Sequence, residues 1–129
     1  LPGRLGNFQI DYVRIAELGG RRSKSKTVPA DVNGFWDNPS FHNYADYALS
    51  DTFRLGLDRL IDIGRDRRCA MMCAEAVWWR CHRRIVADHL LARHQQVFHL
   101  MGDDRIEAAR LTPGAQVLAD AAVVYRKDA

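Results

Sequence analysis

The pattern of hydrophobic and polar positions predicts alternating strands and helices. Residues 8–15 alternate apolar and polar side chains, which is typical of a half-buried strand. Residues 68–73 and 96–101 are largely apolar without alternation, as expected for strands buried on both faces of a sheet. Residues 78–93 place apolar side chains at helical spacing, which predicts a helix between these two strands. A strand, helix and strand in this order favour a right-handed crossover, which would make the two strands parallel neighbours.

Two shorter helices and a hairpin complete the predicted elements. Residues 39–49 carry aromatic and small side chains three and four positions apart, which predicts a helix. Residues 52–63 predict a second helix that ends near Gly64. Residues 115–118 and 122–125 predict a terminal hairpin. The connecting segments 23–38 and 102–111 are predicted to be loops.

These elements predict an α/β fold, a single three-layer domain with a small, mostly parallel sheet and helices on both faces. We expect one domain over residues 1–129, because a chain of this length with 47% hydrophobic content can form one core of ordinary size. The strand that ends at Cys73 is predicted to lie inside the sheet, beside residues 96–101.

Composition narrows the functional classes only a little. A net charge of +3 is too small to indicate nucleic acid by itself, but basic residues cluster in 21–26, 65–68 and 80–84, which would give the fold a basic face. Three cysteines cannot all pair. Because the sequence has no signal peptide and no apolar run of membrane-spanning length, we predict a cytoplasmic protein with reduced thiols and no membrane contact.

The strongest candidate chemistry lies where the predicted strand 68–73 leads into the predicted helix. Junctions of this kind bind ligands in open α/β folds. The helix N-terminus and nearby arginines would favour the reactive thiolate form of Cys73 over that of Cys69. Burial as a small apolar residue is the structural alternative for Cys73, and a core position is the alternative for His82. The predicted catalytic residues are Cys73, Glu75, Cys81 and His82.

A loop rich in glycine and arginine, Leu18-Gly-Gly-Arg-Arg22, follows the first predicted strand. Its glycines allow a tight turn with exposed N–H groups, and its guanidinium groups can grip phosphate or carboxylate. Parallel strands would bring this loop and the helix start at 78–83 to one sheet edge, where an anion could bind. The alternative for this loop is that it is simply a solvated basic loop. The alternative for the aromatic residues of helix 39–49 is that they pack in the core. The predicted substrate-binding residues are Gly19, Gly20, Arg21, Arg22, Arg83, Tyr44 and Tyr47.

Familiar cofactor motifs do not occur in the sequence. It contains no Gly-x-Gly-x-x-Gly, Walker loop or Gly-x-Ser-x-Gly elbow, so the cofactor is unknown. The candidate catalytic residues include the ligand types that zinc accepts. We nevertheless predict no metal site, because neither Cys-x-x-Cys nor His-x-x-x-His occurs.

Several segments resemble the bacterial "domain of unknown function 488" family. The most specific match is Met72-Cys-Ala-Glu75 followed by Cys81-His-Arg83. The resemblance implies a single α/β domain that begins with a strand, a helix and a second strand carrying Asp-Val-Arg, so we expect that N-terminal part to be missing here. Family members often carry a histidine where this sequence has Ala109, and the family implies no settled activity. Further matching segments are Leu18–Arg22, Phe41–Tyr47, and Leu111–Pro113 with Tyr125.

The first of three function classes is a thiol-dependent enzyme acting on a small anionic or nucleotide-like substrate. In this class Cys73 is the nucleophile, His82 or Glu75 carries the proton, and Arg22 and Arg83 clamp the anion.

Two other classes remain open. One is a nucleic-acid or nucleotide-binding module that uses the arginine clusters with aromatic rings as stacking surfaces. The other is a redox-sensing regulatory domain in which Cys73 and Cys81 form a reversible disulfide. We rank the enzyme first, with a small anionic ligand or nucleotide as its expected partner.

Overall fold

The structure is a computed structural model that describes residues 10–72 and 81–127. The described part contains a 3₁₀ turn, three α-helices and two β-hairpins. No helix in this part is long and apolar enough to cross a membrane. The elements are the 3₁₀ turn Ala16–Leu18, α1 Pro39–Tyr47, α2 Asp51–Asp66, α3 Arg83–Ala92, β1 Phe98–Met101, β2 Arg105–Ala108, β3 Gln116–Val117 and β4 Val123–Val124.

The strands form two separate antiparallel pairs, β1 with β2 and β3 with β4. The predicted three-layer α/β fold with a mostly parallel sheet is therefore wrong. The segment 102–111, predicted to be a loop, supplies β2. Asp103 and Asp104 have φ values of 61° and 60°, and positive φ at both central residues is what a tight type I′ hairpin turn requires. The turn lets β1 pair with the next segment of chain.

Two other predicted strands are not observed in the described residues. Residues 10–15 form no strand, and Ile10 and Tyr12 are about half exposed. Residues 68–72 are also without strand structure, while Cys73 lies outside the described residues. The predicted helix 78–93 is observed as α3 from Arg83, and residues 78–80 lie outside the described part.

The two central helices and the terminal hairpin are confirmed. The side chain of Asn38 accepts hydrogen bonds from the backbone N–H groups of Ser40 and Phe41 at the start of α1, where Pro39 occupies a first-turn position. The Ser50 hydroxyl accepts from the Phe53 N–H at the start of α2. Strands β3 and β4 pair as predicted, with Ala121 at a φ of 67° in the connecting turn.

The core lies between the helices and β4. Aromatic and aliphatic side chains fill it, and each buried one contributes roughly 1.5–3 kcal/mol through the apolar surface it removes from water. The 3₁₀ turn packs against α2 at Gly56, where a Cβ atom would lie only 2.7 Å from the Cβ of Glu17. This close approach fixes the start of the Gly19–Arg22 loop. The largest buried core residues are Tyr44, Phe53, Ile85, Val86, Val123 and Tyr125.

Candidate functional site

Two tyrosines of α1 hold the backbone that leads into the Gly19–Arg22 loop. Tyr44 Oη donates to the Leu18 carbonyl at 2.8 Å, and Tyr47 Oη donates to the Glu17 carbonyl at 2.6 Å. Burial raises the pKa of both hydroxyls, so they remain protonated donors at neutral pH. In this structure the two tyrosines predicted to bind substrate position the loop.

The guanidinium of Arg22 is fixed by the same loop. Its Nε donates to the Gly19 carbonyl at 3.1 Å and its Nη2 donates to the Ala16 carbonyl at 2.9 Å. The Cζ atom lies 3.8 Å from the centre of the Tyr47 ring, which is a cation–π contact. Arg21 is exposed and forms no ion pair with any carboxylate in residues 10–72 and 81–127. Arg22 therefore shapes the loop, while Arg21 points its charge to solvent.

Gly20 packs against the imidazole ring of His82. A Cβ atom at position 20 would lie 2.8 Å from Cε1 and 2.9 Å from Cγ of that ring, so only glycine permits the contact. The centre of the ring is 5.1 Å from that of Tyr44. Burial lowers the pKa of His82, and the charges of Arg83 and Arg22 lower it further. The imidazole is therefore neutral at pH 7 and can accept a proton.

The thiol of Cys81 accepts two hydrogen bonds from Arg83 at the start of α3. The Arg83 backbone N–H lies 3.3 Å from Sγ, and the guanidinium Nε lies 3.0 Å from it. A cation and a helix N-terminus beside a sulfur favour its thiolate form. The Cys81 side chain is buried, with 9% of its surface exposed.

The structure thus brings most of the predicted site residues of the described part into one cluster around Tyr44. The Tyr44 ring centre lies 5.1 Å from that of His82 and 5.8 Å from that of Tyr47, and Arg22 packs over the Tyr47 ring. Cys73 and Glu75 lie outside the described residues. Cys69 is exposed, with its Sγ 3.5 Å from the Arg67 carbonyl. The residues brought together are Gly19, Gly20, Arg22, Tyr44, Tyr47, Cys81, His82 and Arg83.

A groove of about 470 Å³ opens beside Arg22. Residues 22–28 form one wall, and the end of α1 with the turn into α2 forms the other. Lys24 and Lys26 line the groove but were not among the predicted site residues. They belong to the basic run 21–26, and no periodicity in that run indicates which side chains face α1.

The other arginine clusters are engaged in contacts within the protein. Arg65 donates to Asp62 at 3.0 Å, and Arg67 forms an ion pair with Asp11. Arg84 donates to Thr112 Oγ1 at 3.2 Å and lies over the Trp36 ring. The described residues contain no group of three or more His, Cys, Asp or Glu side chains that could hold a metal ion.

Comparison with known proteins identifies the family. The model of the family "Domain of unknown function DUF488" matches residues 1–90, a span that contains the whole candidate site. The chain belongs to the DUF488 family. This match confirms the resemblance seen in the Cys-Ala-Glu and Cys-His-Arg segments. Neither the curated proteins nor the solved structures include a match to the chain, so no reaction comes with the DUF488 assignment.

Proposed function

We propose that this DUF488 protein is a thiol-dependent enzyme that acts on a small anionic or nucleotide-like substrate. The observation that carries the proposal is the contact between Arg83 Nε and Cys81 Sγ at 3.0 Å. A guanidinium at this distance stabilises a thiolate, the nucleophilic form of cysteine, without any external base.

The neighbouring groups supply the other roles that thiol chemistry needs. His82 is neutral at pH 7 and serves as the proton carrier, and its ring is held in place against Gly20 and Tyr44. Arg83 is positioned both to stabilise the thiolate and to attract an anionic substrate. Cys73 keeps the predicted role of nucleophile and Glu75 that of the alternative proton carrier to His82, so the proposal includes two candidate thiols.

The nucleic-acid alternative has less support. A sequence-tolerant nucleic-acid surface needs a continuous positive groove with stacking aromatic rings. Here Arg65 and Arg67 are paired with carboxylates, and Arg84 contacts Thr112 and Trp36. The Trp36 ring is itself buried. These contacts favour a compact ligand over an extended strand.

The proposal is tested by titrating the thiols through the ultraviolet absorbance of the thiolate. We expect the wild-type protein to contain thiolate at pH 7. The thiolate signal should fall in Cys81→Ser, in Cys73→Ser or in both, and it should not fall in Cys69→Ser. Arg83→Gln should reduce the thiolate-to-thiol ratio roughly tenfold, because a hydrogen bond to a charged group contributes about 1.5–3 kcal/mol. Arg65→Gln is the matched control, since the ion pair of Arg65 in the described residues is with exposed Asp62.

Two results would contradict the proposal. One is an absence of thiolate at pH 7 in the wild-type protein. The other is an equal effect of Arg83→Gln and Arg65→Gln, which would mean that the contact with Cys81 does not influence the sulfur.

A further inference from the structure

We infer that the ligand of this protein is a phosphorylated small molecule, and that Lys24 and Lys26 bind its phosphate group in the groove beside Arg22. The inference rests on the proposed function for the reacting end of the ligand, and it adds the chemical class and the position of the other end.

The size of the groove fits a small molecule. Its volume of about 470 Å³ lies within the range of roughly 300–1,000 Å³ that is usual for small-molecule sites. One wall is the segment 22–28 and the other is formed by Asp46, Tyr47, Leu49 and Ser50. Apolar side chains, Val28 and Leu49, line the groove together with the polar ones and could contact the organic part of a ligand.

The charge of the groove is positive and unbalanced. Lys24 and Lys26 are exposed, and neither forms an ion pair with a carboxylate of the described residues. Asp46 is the one carboxylate among the lining residues of this part of the chain. It is 5% exposed; Asn33 Nδ2 donates to one of its oxygens at 2.7 Å, and His42 Nε2 lies 3.5 Å from the other. Both oxygens of this carboxylate are therefore already in contact with groups of the protein.

Hydroxyl groups add neutral donors to the two ammonium groups. Ser50 Oγ accepts from the Phe53 N–H at 3.2 Å, so its own O–H remains able to donate to a phosphate oxygen. Ser25 Oγ accepts from the N–H groups of Thr27 and Val28 at 3.1 and 3.0 Å, which fixes the turn that carries Lys24 and Lys26. Ammonium and hydroxyl donors in one groove suit the several acceptor oxygens of a phosphate.

Arg22 connects the groove to the thiol site. Arg22 lines the groove, and its guanidinium donates to the carbonyl of Gly19, the neighbour of the Gly20 that packs against the His82 ring. The guanidinium is already held by the Gly19 and Ala16 carbonyls and by the Tyr47 ring. Arg22 therefore borders both sites as a rigid wall, and a ligand with its phosphate at Lys24 and Lys26 would extend past it towards His82.

The test is calorimetric titration of the full chain with pyrophosphate, AMP and ADP. We expect Lys24→Gln and Lys26→Gln each to weaken pyrophosphate binding roughly tenfold, because each removes one hydrogen bond from a charged group. Lys127→Gln is the matched control, since Lys127 is the third lysine of the chain and does not line the groove. ADP binding tighter than pyrophosphate would identify a nucleotide; equal binding would identify the phosphate group alone.

Other results would overturn the inference. Equal weakening by all three lysine variants would show diffuse surface charge. Binding of a single-stranded oligonucleotide without binding of pyrophosphate, AMP or ADP would show a nucleic-acid surface instead. The thiolate titration separates this inference from the proposed function. Thiolate without pyrophosphate binding would refute only the phosphate site. Lysine-dependent pyrophosphate binding without thiolate would support the phosphate site and refute the enzyme proposal.

Discussion

This protein has two polar clusters, of which one is closed and the other is open. In the closed cluster, Asp88 accepts from the Thr112 N–H at 2.9 Å and from Tyr125 Oη at 2.7 Å. Asn33 donates to Asp46 at 2.7 Å and accepts from the Tyr125 N–H at 2.9 Å. All five residues are at most 5% exposed. Their hydrogen-bonding atoms are used in joining the last strand to the loop before α1 and to α3.

The open cluster comprises the Gly19–Arg22 loop, His82 and Arg83, together with Lys24 and Lys26 in the groove. Only some of the donors in this cluster form hydrogen bonds within the protein. Arg22 donates to two backbone carbonyls, whereas Lys24 and Lys26 line the open groove. This difference indicates which of the two clusters could bind a ligand. A buried cluster whose donors and acceptors are all matched stabilises the fold, and a half-open cluster with charge in excess can still bind something else.

The largest effect is expected from breaking the closed cluster with Asp88→Ala. The change leaves the Tyr125 hydroxyl and the Thr112 N–H buried without an acceptor, which should lower the free energy of unfolding by about 3–5 kcal/mol. Urea unfolding measures the loss. Asp62→Ala is the control, because Asp62 is exposed and pairs only with Arg65, so its loss should stay within about 0.5 kcal/mol. Similar losses in the two variants would mean that the closed cluster does not stabilise the fold.

A smaller effect is expected at His89, whose buried ring packs edge-on against Phe53 with the ring centres 5.0 Å apart. The pKa of His89 is lowered from 6.5 to about 4, mainly by burial and to a smaller extent by the charges of Arg93 and Arg54. Its Nε2 atom has no hydrogen-bond partner in the described part. The unfolded chain therefore binds more protons than the folded one between these two pH values. Stability from this group is complete above pH 6.5 and is lost as the pH falls to 4, by about 3 kcal/mol.

Urea unfolding as a function of pH tests this expectation. His89→Leu should flatten the fall in unfolding free energy between pH 6.5 and pH 4. Some slope will remain, because burial also lowers the pKa values of His82 and His99. His94→Asn is the control: it removes an exposed histidine at a φ of 61°, which asparagine tolerates, and so tests whether the loss of any imidazole would flatten the slope. An unchanged slope in His89→Leu would show that His89 is protonated in the folded protein.

The helices could be predicted from sequence because their signals are local. The asparagine and proline before α1 and the serine before α2 are start signals that act within three residues. Strand pairing is not local in the same way. The apolar segments 68–73 and 96–101 suggested parallel neighbours, but the pairing of β1 with β2 depends on two aspartates with positive φ. Neither of these two positions is a glycine or an asparagine, and the glycine of the turn, Gly102, precedes them.

The arrangement of the candidate site also depends on contacts between residues that are far apart in the sequence. Gly20 packs against the His82 ring and Arg22 lies in the same loop, although the described residues contain no parallel sheet edge that could bring them together. Instead the hydroxyls of Tyr44 and Tyr47 hold the loop through contacts across 26 and 30 residues. Such long-range hydrogen bonds leave no periodic trace, so the structural role of the tyrosines and the placement of Lys24 and Lys26 became visible only in the fold.

The smallest effect, and the sharpest test of the open cluster, concerns Gly20. In Gly20→Ala the new methyl group would lie 2.8 Å from Cε1 of His82, so the ring must move, and overpacking of this kind typically costs about 1–3 kcal/mol. Gly64→Ala is the matched control: Gly64 lies in α2 with no atom within 4 Å of its new Cβ, so alanine should stabilise the protein by up to about 1 kcal/mol. Urea unfolding should therefore give opposite signs for the two variants.

In a double mutant with His82→Ala, the cost of Gly20→Ala should largely disappear, because the ring that opposes the methyl group is gone. A cost that persists without the ring would place the strain in the loop backbone and not in the contact with His82.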